Sequence, residues 1–125
     1  MRVMITRPLA DAAPLVERLL SEGHEILFEP LLSIQMRAAP ALDLSEFQAV
    51  LLTSANGARA LAEHTAEHRI LVICVGDATA DTARSLGFSQ VISADGDVDT
   101  LVTFVIERCN PSDSSLLHVA GSVVA

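Results

Sequence analysis

The feature that most constrains the fold is a repeated alternation of short apolar runs with helical patterns. The apolar runs lie at 3–6, 24–28, 47–52, 69–75, 90–93 and 115–119. Segments with helical spacing of apolar residues separate most of them, so that strand, turn and helix repeat about five times. This pattern predicts an α/β fold with a doubly wound, parallel sheet that carries helices on both faces.

Turn residues set the expected boundaries of the helices. The first helix is expected to take Asp11 as its N-cap, to tolerate Pro14 in its first turn and to stop at Gly23. The second helix is expected to run from the turn at 53–57 to about Glu67, and the third to end at Gly87.

The clearest helical pattern follows the turn 95–97, where Asp97 is expected to cap the last helix. Its apolar residues recur at helical spacing at Val98, Leu101, Val102, Val105 and Ile106. Earlier in the chain, residues 31–35 could form a third extended segment. Residues 37–41 have the composition of a linker.

The charge balance excludes several classes of function. The chain has 16 Asp and Glu against 8 positive residues, all of them Arg, for a net charge of −8. A net acidic chain without a basic run is a poor binder of nucleic acid or of an anionic membrane. No apolar run reaches 18 residues, so we expect no membrane span. The two cysteines form no disulfide pattern, which favours a reducing, cytoplasmic compartment.

Ligands of open parallel sheets bind at the carboxyl ends of the strands. The segments that follow the predicted strands are 6–8, 53–57, 75–79, 93–97 and 118–121. They are rich in small and hydroxyl-bearing residues and match no dinucleotide or P-loop motif. Helix N-termini in these turns would bind a carboxylate or phosphate through backbone N–H groups. Alternatively, residues such as Ser54, Asn56, Asp77 and Asp97 only cap their helices.

Two other motifs point to different chemistry. The segment 64–68 matches the H-x-x-E-H zinc pattern, but it lies at a helix end and on the amino side of the next strand. A solvated helix end is the favoured interpretation, and we expect no metal site. Receiver domains share the architecture, but the predicted first strand is followed by Thr6-Arg7-Pro8 rather than by acidic residues.

Five turn motifs, in order and spacing, resemble the amino-terminal half of uroporphyrinogen-III synthase. They are ITRP at 5–8, EPLLSI at 29–34, LTSANGARAL at 52–61, VGDATA at 75–80 and ADGD at 94–97. The resemblance covers essentially all 125 residues. It implies two hinge-linked, flavodoxin-like domains, present here only in part. Residues 1–34 would begin a first domain, 35–41 would link the domains, and 42–125 would form a second domain cut after its last strand.

The resemblance also implies a reaction. The family is a lyase of heme biosynthesis that cyclises the linear tetrapyrrole hydroxymethylbilane to uroporphyrinogen III, with loss of water and inversion of the last pyrrole ring. It uses no metal or other cofactor, and its substrate, with eight carboxylates, lies between the two domains. Carried over by motif, the substrate-binding residues are Arg7, Thr53, Ser54, Asn56, Gly76, Thr79 and Ser93. Thr53, Ser54 and Thr79 are the leading candidates for hydrogen bonds to substrate, whereas Arg7 could instead pair with an acidic group.

The family's favoured acid is a Tyr in its carboxyl-terminal half, and this sequence has no Tyr. The catalytic residues are therefore not predicted, and we expect a truncated form that is inactive alone. A β-α-β segment over 1–34 would expose sheet edges, which predicts self-association. The alternative function is a non-catalytic α/β module that binds a small anion or a partner protein.

Overall fold

A computed structural model describes residues 1–31 and 33–121. The chain divides into two compact units, Met1–Arg37 and Ala38–Ala125. The first unit contains β1 (Arg2–Ile5), α1 (Leu9–Ser21) and β2 (Glu25–Phe28). The second contains β3 (Phe47–Leu52), α2 (Ala55–His64), β4 (Leu71–Cys74), α3 (Asp77–Ser85), β5 (Gln90–Ser93), α4 (Val98–Arg108) and β6 (Ser115–Val119).

The first unit is a β-α-β segment with one covered face. Strands β1 and β2 pair in parallel, and their inward residues include the buried Ile5. On the opposite face Met4 lies beside Leu27 in the strand register, and both are exposed, Met4 by 59%. The sheet of this unit therefore leaves an apolar face open in the described residues.

Helix α1 begins before Asp11, so the predicted N-cap is wrong. The Pro8 carbonyl accepts hydrogen bonds from the N–H groups of Asp11 and Ala12, both at 3.1 Å, which starts the helix at Leu9. Pro8 itself offers no capping side chain. Pro14 consequently lies inside the helix rather than in its first turn.

The glycines that were expected to end α1 and α3 do so. Gly23 and Gly87 follow these helices with φ angles of 85° and 100°, which L side chains rarely adopt. The Gly87 N–H donates to the Arg84 carbonyl and the Phe88 N–H to the Ala83 carbonyl, at 3.0 and 3.3 Å. This pattern of two hydrogen bonds closes the helix end and returns the chain to β5.

The sheet of the second unit is fully parallel, in the order β5-β4-β3-β6. Strand β3 comes first along the chain, yet it lies between β4 and β6. The chain winds outward from β3 to β5 and then returns to the other side of β3. The direction of winding therefore reverses between β3 and β6, as in doubly wound folds.

Helices cover both faces of this sheet, which confirms the predicted α/β class. Val50 and Leu52 of β3 are buried with side chains of α2 and α3. Ala49, on the opposite face of β3, is buried with Leu101 of α4. No helix among the described residues is both long and apolar enough to cross a membrane.

Helix α4 uses only part of its apolar surface against the sheet. Leu101 is buried, and Phe104 and Val105 pack beside it. The other three apolar residues named from the helical pattern, Val98, Val102 and Ile106, are 57%, 50% and 72% exposed. The helix contacts the sheet along the edge that carries Phe104, a residue the apolar spacing did not include.

Two further boundaries differ from the sequence prediction. Helix α2 ends at His64 rather than near Glu67, because Thr65 has extended backbone and its hydroxyl accepts the Glu67 N–H at 3.0 Å. Within the segment 31–35, Leu32 lies outside the described residues, and the other four residues form no strand. Residues 122–125 also lie outside the description.

Candidate functional site

The reversal of winding places the ends of β3 and β6 side by side. Leu51 pairs with His118 and Leu52 with Val119, so the two strands reach the carboxyl edge of the sheet in register. Helix α2 begins directly after β3, with Ser54 between them. A crevice at such a reversal is the usual ligand position in open α/β sheets.

Ser54 organises the start of α2. Its backbone is extended, and its hydroxyl oxygen accepts the Gly57 N–H at 3.1 Å, which makes it the N-cap. Gly57 is buried, and a Cβ at this position would lie 3.0 Å from the Val119 carbonyl oxygen. The absence of a side chain at Gly57 therefore lets the first turn of α2 lie against the end of β6.

Thr53 contacts β6 through a side chain. Its Oγ1 lies 3.3 Å from Nε2 of His118. Thr53 is half-buried and His118 is exposed, so this pair lies at the surface of the carboxyl edge. His118 was not among the predicted site residues, because the pairing of β6 with β3 brings together residues 65 positions apart.

Asn56 orients an arginine in the same region. Its Oδ1 accepts a hydrogen bond from Nη1 of Arg59 at 2.7 Å, one turn further along α2. The structure thus adds a guanidinium to the positive end of the helix dipole. Arg59 was not predicted either, although its spacing of three residues from Asn56 on a helix is a signal that could have found it.

The turn after β4 holds two of the predicted residues. Gly76 is the N-cap of α3 by backbone conformation, with no side-chain capping bond. Thr79 lies in the first turn of α3 and is buried, with 7% of its surface exposed. Asp77, the first residue of the helix, is exposed beside them.

The turn after β5 is the most strongly ordered by side chains. Ser93 accepts the Asp95 N–H at 3.1 Å, and Asp95 has a positive φ of 53°. Asp97 then caps α4, since its Oδ1 accepts from both the N–H and the hydroxyl of Thr100 at 2.9 Å. These two bonds hold the pKa of Asp97 below its ordinary value of 3.8.

The three turns differ in charge. The turns after β4 and β5 carry the carboxylates Asp77, Asp95 and Asp97. The turn 53–59 and the segment 118–121 contain no acidic residue, and they supply Arg59 and His118. An anion is therefore accommodated better at the β3–β6 end of the edge than at the β4–β5 end.

The predicted site residues divide between the two units. Thr53, Ser54, Asn56, Gly76, Thr79 and Ser93 all lie in the second unit, in the three turns at the carboxyl edge of its sheet. Arg7 lies in the first unit, two residues after β1, and is exposed.

The zinc motif at 64–68 does not form a helical ligand pair. Because α2 ends at His64, His68 lies beyond the helix, where its ring stacks on Phe88 with 4.7 Å between ring centroids. Among residues 1–31 and 33–121, no group of three or more His, Cys, Asp or Glu could hold a metal ion. Burial raises the pKa of the Cys74 thiol to about 11, so this cysteine is a poor nucleophile.

Fold and turn geometry together define a doubly wound α/β protein with an anion-accepting end at its carboxyl edge. A family model described as uroporphyrinogen-III synthase HemD matches residues 13–125, and the chain belongs to that family. This membership supports a uroporphyrinogen-III synthase-like function in tetrapyrrole biosynthesis. No curated protein matches the chain.

The lowered pKa of Asp97 makes a testable contribution to stability. A depressed carboxyl pKa stabilises the folded state above the ordinary value of 3.8, and this contribution is lost as the pH falls through the lower, folded-state pKa. We expect Asp97→Asn, which keeps a capping oxygen but removes the charge, to unfold more easily than the unmodified chain at neutral pH.

The difference in unfolding free energy should shrink as the pH falls through that range, because the Asp97 carboxyl then becomes neutral as well. Urea titrations at several pH values measure it. Asp113→Asn, in the loop before β6, makes the same change in net charge without touching a helix cap. Equal pH dependence in the two variants would contradict the role given to the Asp97 cap.

Proposed function

We propose that this chain belongs to an enzyme that cyclises hydroxymethylbilane to uroporphyrinogen III, a lyase reaction. The observation that carries the proposal is the family match over 13–125, together with the capped, acid-free start of α2. A tetrapyrrole with eight carboxylates requires a site that accepts several negative charges. The N–H groups at the start of a helix, hydroxyls and a guanidinium supply this without any Lys.

Within this proposal, the substrate carboxylates bind first at the turn after β3. Thr53 and Ser54 offer hydroxyls there, and Asn56 holds Arg59 beside the helix N-terminus. Gly76, Thr79 and Ser93 border the same edge in turns that also carry carboxylates, which makes them weaker candidates for direct contact. Arg7 is kept as a proposed contact from the first unit.

Catalysis by such a site consists mainly of binding and orientation. Ring closure joins the two ends of a linear molecule and releases the hydroxyl as water. A protein that holds the pyrrole rings in a folded arrangement lowers the entropic part of the barrier. Hydrogen bonds to the carboxylates hold the ends of the substrate without taking part in the chemical step.

We further propose that the 125-residue chain alone does not complete this reaction. The described part of the first unit has only a two-stranded sheet with one covered face. The sequence also contains no Tyr to act as the acid that the family resemblance implies. A cytoplasmic location is part of the proposal, and both Cys74 and Cys109 are free thiols, as a reducing compartment favours.

Incubation with hydroxymethylbilane tests the proposed activity. We expect the chain to bind this tetrapyrrole and to leave the isomer ratio of the cyclised product at the value of the spontaneous reaction, which gives isomer I. Chromatography that separates isomers I and III measures the outcome, with a protein-free reaction as the control. Abundant isomer III would contradict the proposed inactivity and establish the synthase activity directly.

Binding of inorganic phosphate or a nucleotide without binding of the tetrapyrrole would instead favour the alternative function, a small non-catalytic anion-binding module. The turn after β3 needs no group outside the second unit to form, which is the observation in favour of that alternative. Calorimetry with the three ligands separates the two functions.

Self-association through the first unit is also proposed. Met4 and Leu27 form an exposed apolar pair on the open face of the β1–β2 sheet. Light scattering should therefore show species larger than a monomer, and Met4→Glu should shift them toward the monomer. Ile106→Glu, at an equally exposed position on α4, is the matched control and should leave the distribution unchanged. A clean monomer at high concentration would contradict the proposal.

A further inference from the structure

The contact between Thr53 and His118 joins the two strands at the reversal of winding. Thr53 follows β3 directly, and His118 is the fourth residue of β6. Their side chains meet with Oγ1 and Nε2 3.3 Å apart, although each could have turned to solvent at this exposed edge. The next residue along the chain is Ser54, the N-cap of α2.

A threonine hydroxyl has one hydrogen to donate and two lone pairs with which to accept. If Nε2–H of His118 donates to Oγ1, the Thr53 hydroxyl hydrogen must point to another acceptor. At the start of α2, the acceptor that this electrostatic environment favours is an anionic oxygen. The opposite polarity, with Thr53 donating to the ring, would use up the only hydrogen that the hydroxyl can offer.

We propose that His118 is a positioning residue that turns the Thr53 hydroxyl into a donor for a carboxylate of the substrate. This inference rests on the function proposed above and extends it to a residue on β6. The imidazole acts through Thr53 and forms no bond to substrate itself. The turn 53–59 contains no acidic residue that would compete for the hydroxyl hydrogen.

The polarity of the hydrogen bond gives a matched pair of variants. In His118→Gln the side-chain NH2 can still donate to Oγ1, whereas in His118→Ala the hydroxyl is no longer directed. We expect His118→Ala to weaken binding of uroporphyrinogen III about fivefold to tenfold and His118→Gln to stay within about twofold, since one neutral hydrogen bond contributes roughly this much.

Thr53 provides the second half of the test. Thr53→Val should weaken binding by a similar factor, and Thr53→Ser should restore it. In the Thr53→Val background, His118→Ala should have no further effect, because the two side chains form one unit. Urea unfolding of each variant shows whether the edge strand β6 stays folded, and a merely structural His118 would not be rescued by Gln in binding.

Fluorescence or calorimetric titration with uroporphyrinogen III under anaerobic conditions measures all these affinities. Loss of binding in His118→Ala, retention in His118→Gln and a double variant equal to Thr53→Val support the proposal. Unchanged binding in His118→Ala, or additive losses, overturn it and leave the proposed function standing. No binding by the unmodified chain overturns both.

Discussion

The parallel pairing of β3 with both β4 and β6 is the interaction on which the rest of the second unit depends. Ala49, Val50 and Leu52 of β3 are fully buried, with side chains packed on both faces of the sheet. Burial on both faces holds the strand in one register, because a shift by one residue would exchange its two faces. That register places Thr53 and Ser54 beside the end of β6.

From this constraint the chemistry of the carboxyl edge follows. The chain leaves β3 into α2 and reaches β6 only at the end of the described segment, so the site combines residues far apart in sequence. Neutral and basic groups collect at the β3–β6 end, and carboxylates collect after β4 and β5. An acidic protein without Lys can in this way still offer an anion a favourable position.

Local signals made much of the fold predictable from sequence. The bounds of β3, β5 and β6 were predicted correctly, because short apolar runs end at clear turn residues there. The cap of α4 was also confirmed at Asp97. The errors have local physical causes: the Pro8 carbonyl starts α1 early, and the extended Thr65 ends α2 early.

The site was less predictable than the fold. Ser54 could be assigned from the helix start that follows it, since capping depends on residues three apart. The contact of His118 with Thr53 could not, because it depends on the order of strands in the sheet, which periodicity does not encode. The exposed side of α4 was not predictable for the same reason: spacing identifies an apolar helix, but the sheet decides which residues it covers.

The central claim is that the start of α2 binds a carboxylate of the tetrapyrrole, and Ser54 allows a direct test of charge at that point. Asp and Asn both serve as N-caps, so Ser54→Asp and Ser54→Asn should unfold at similar urea concentrations. Only Ser54→Asp places a negative charge where the carboxylate would bind. Titration with uroporphyrinogen III should give at least tenfold weaker binding for Ser54→Asp than for Ser54→Asn. Equal affinities of the two variants would contradict the claim.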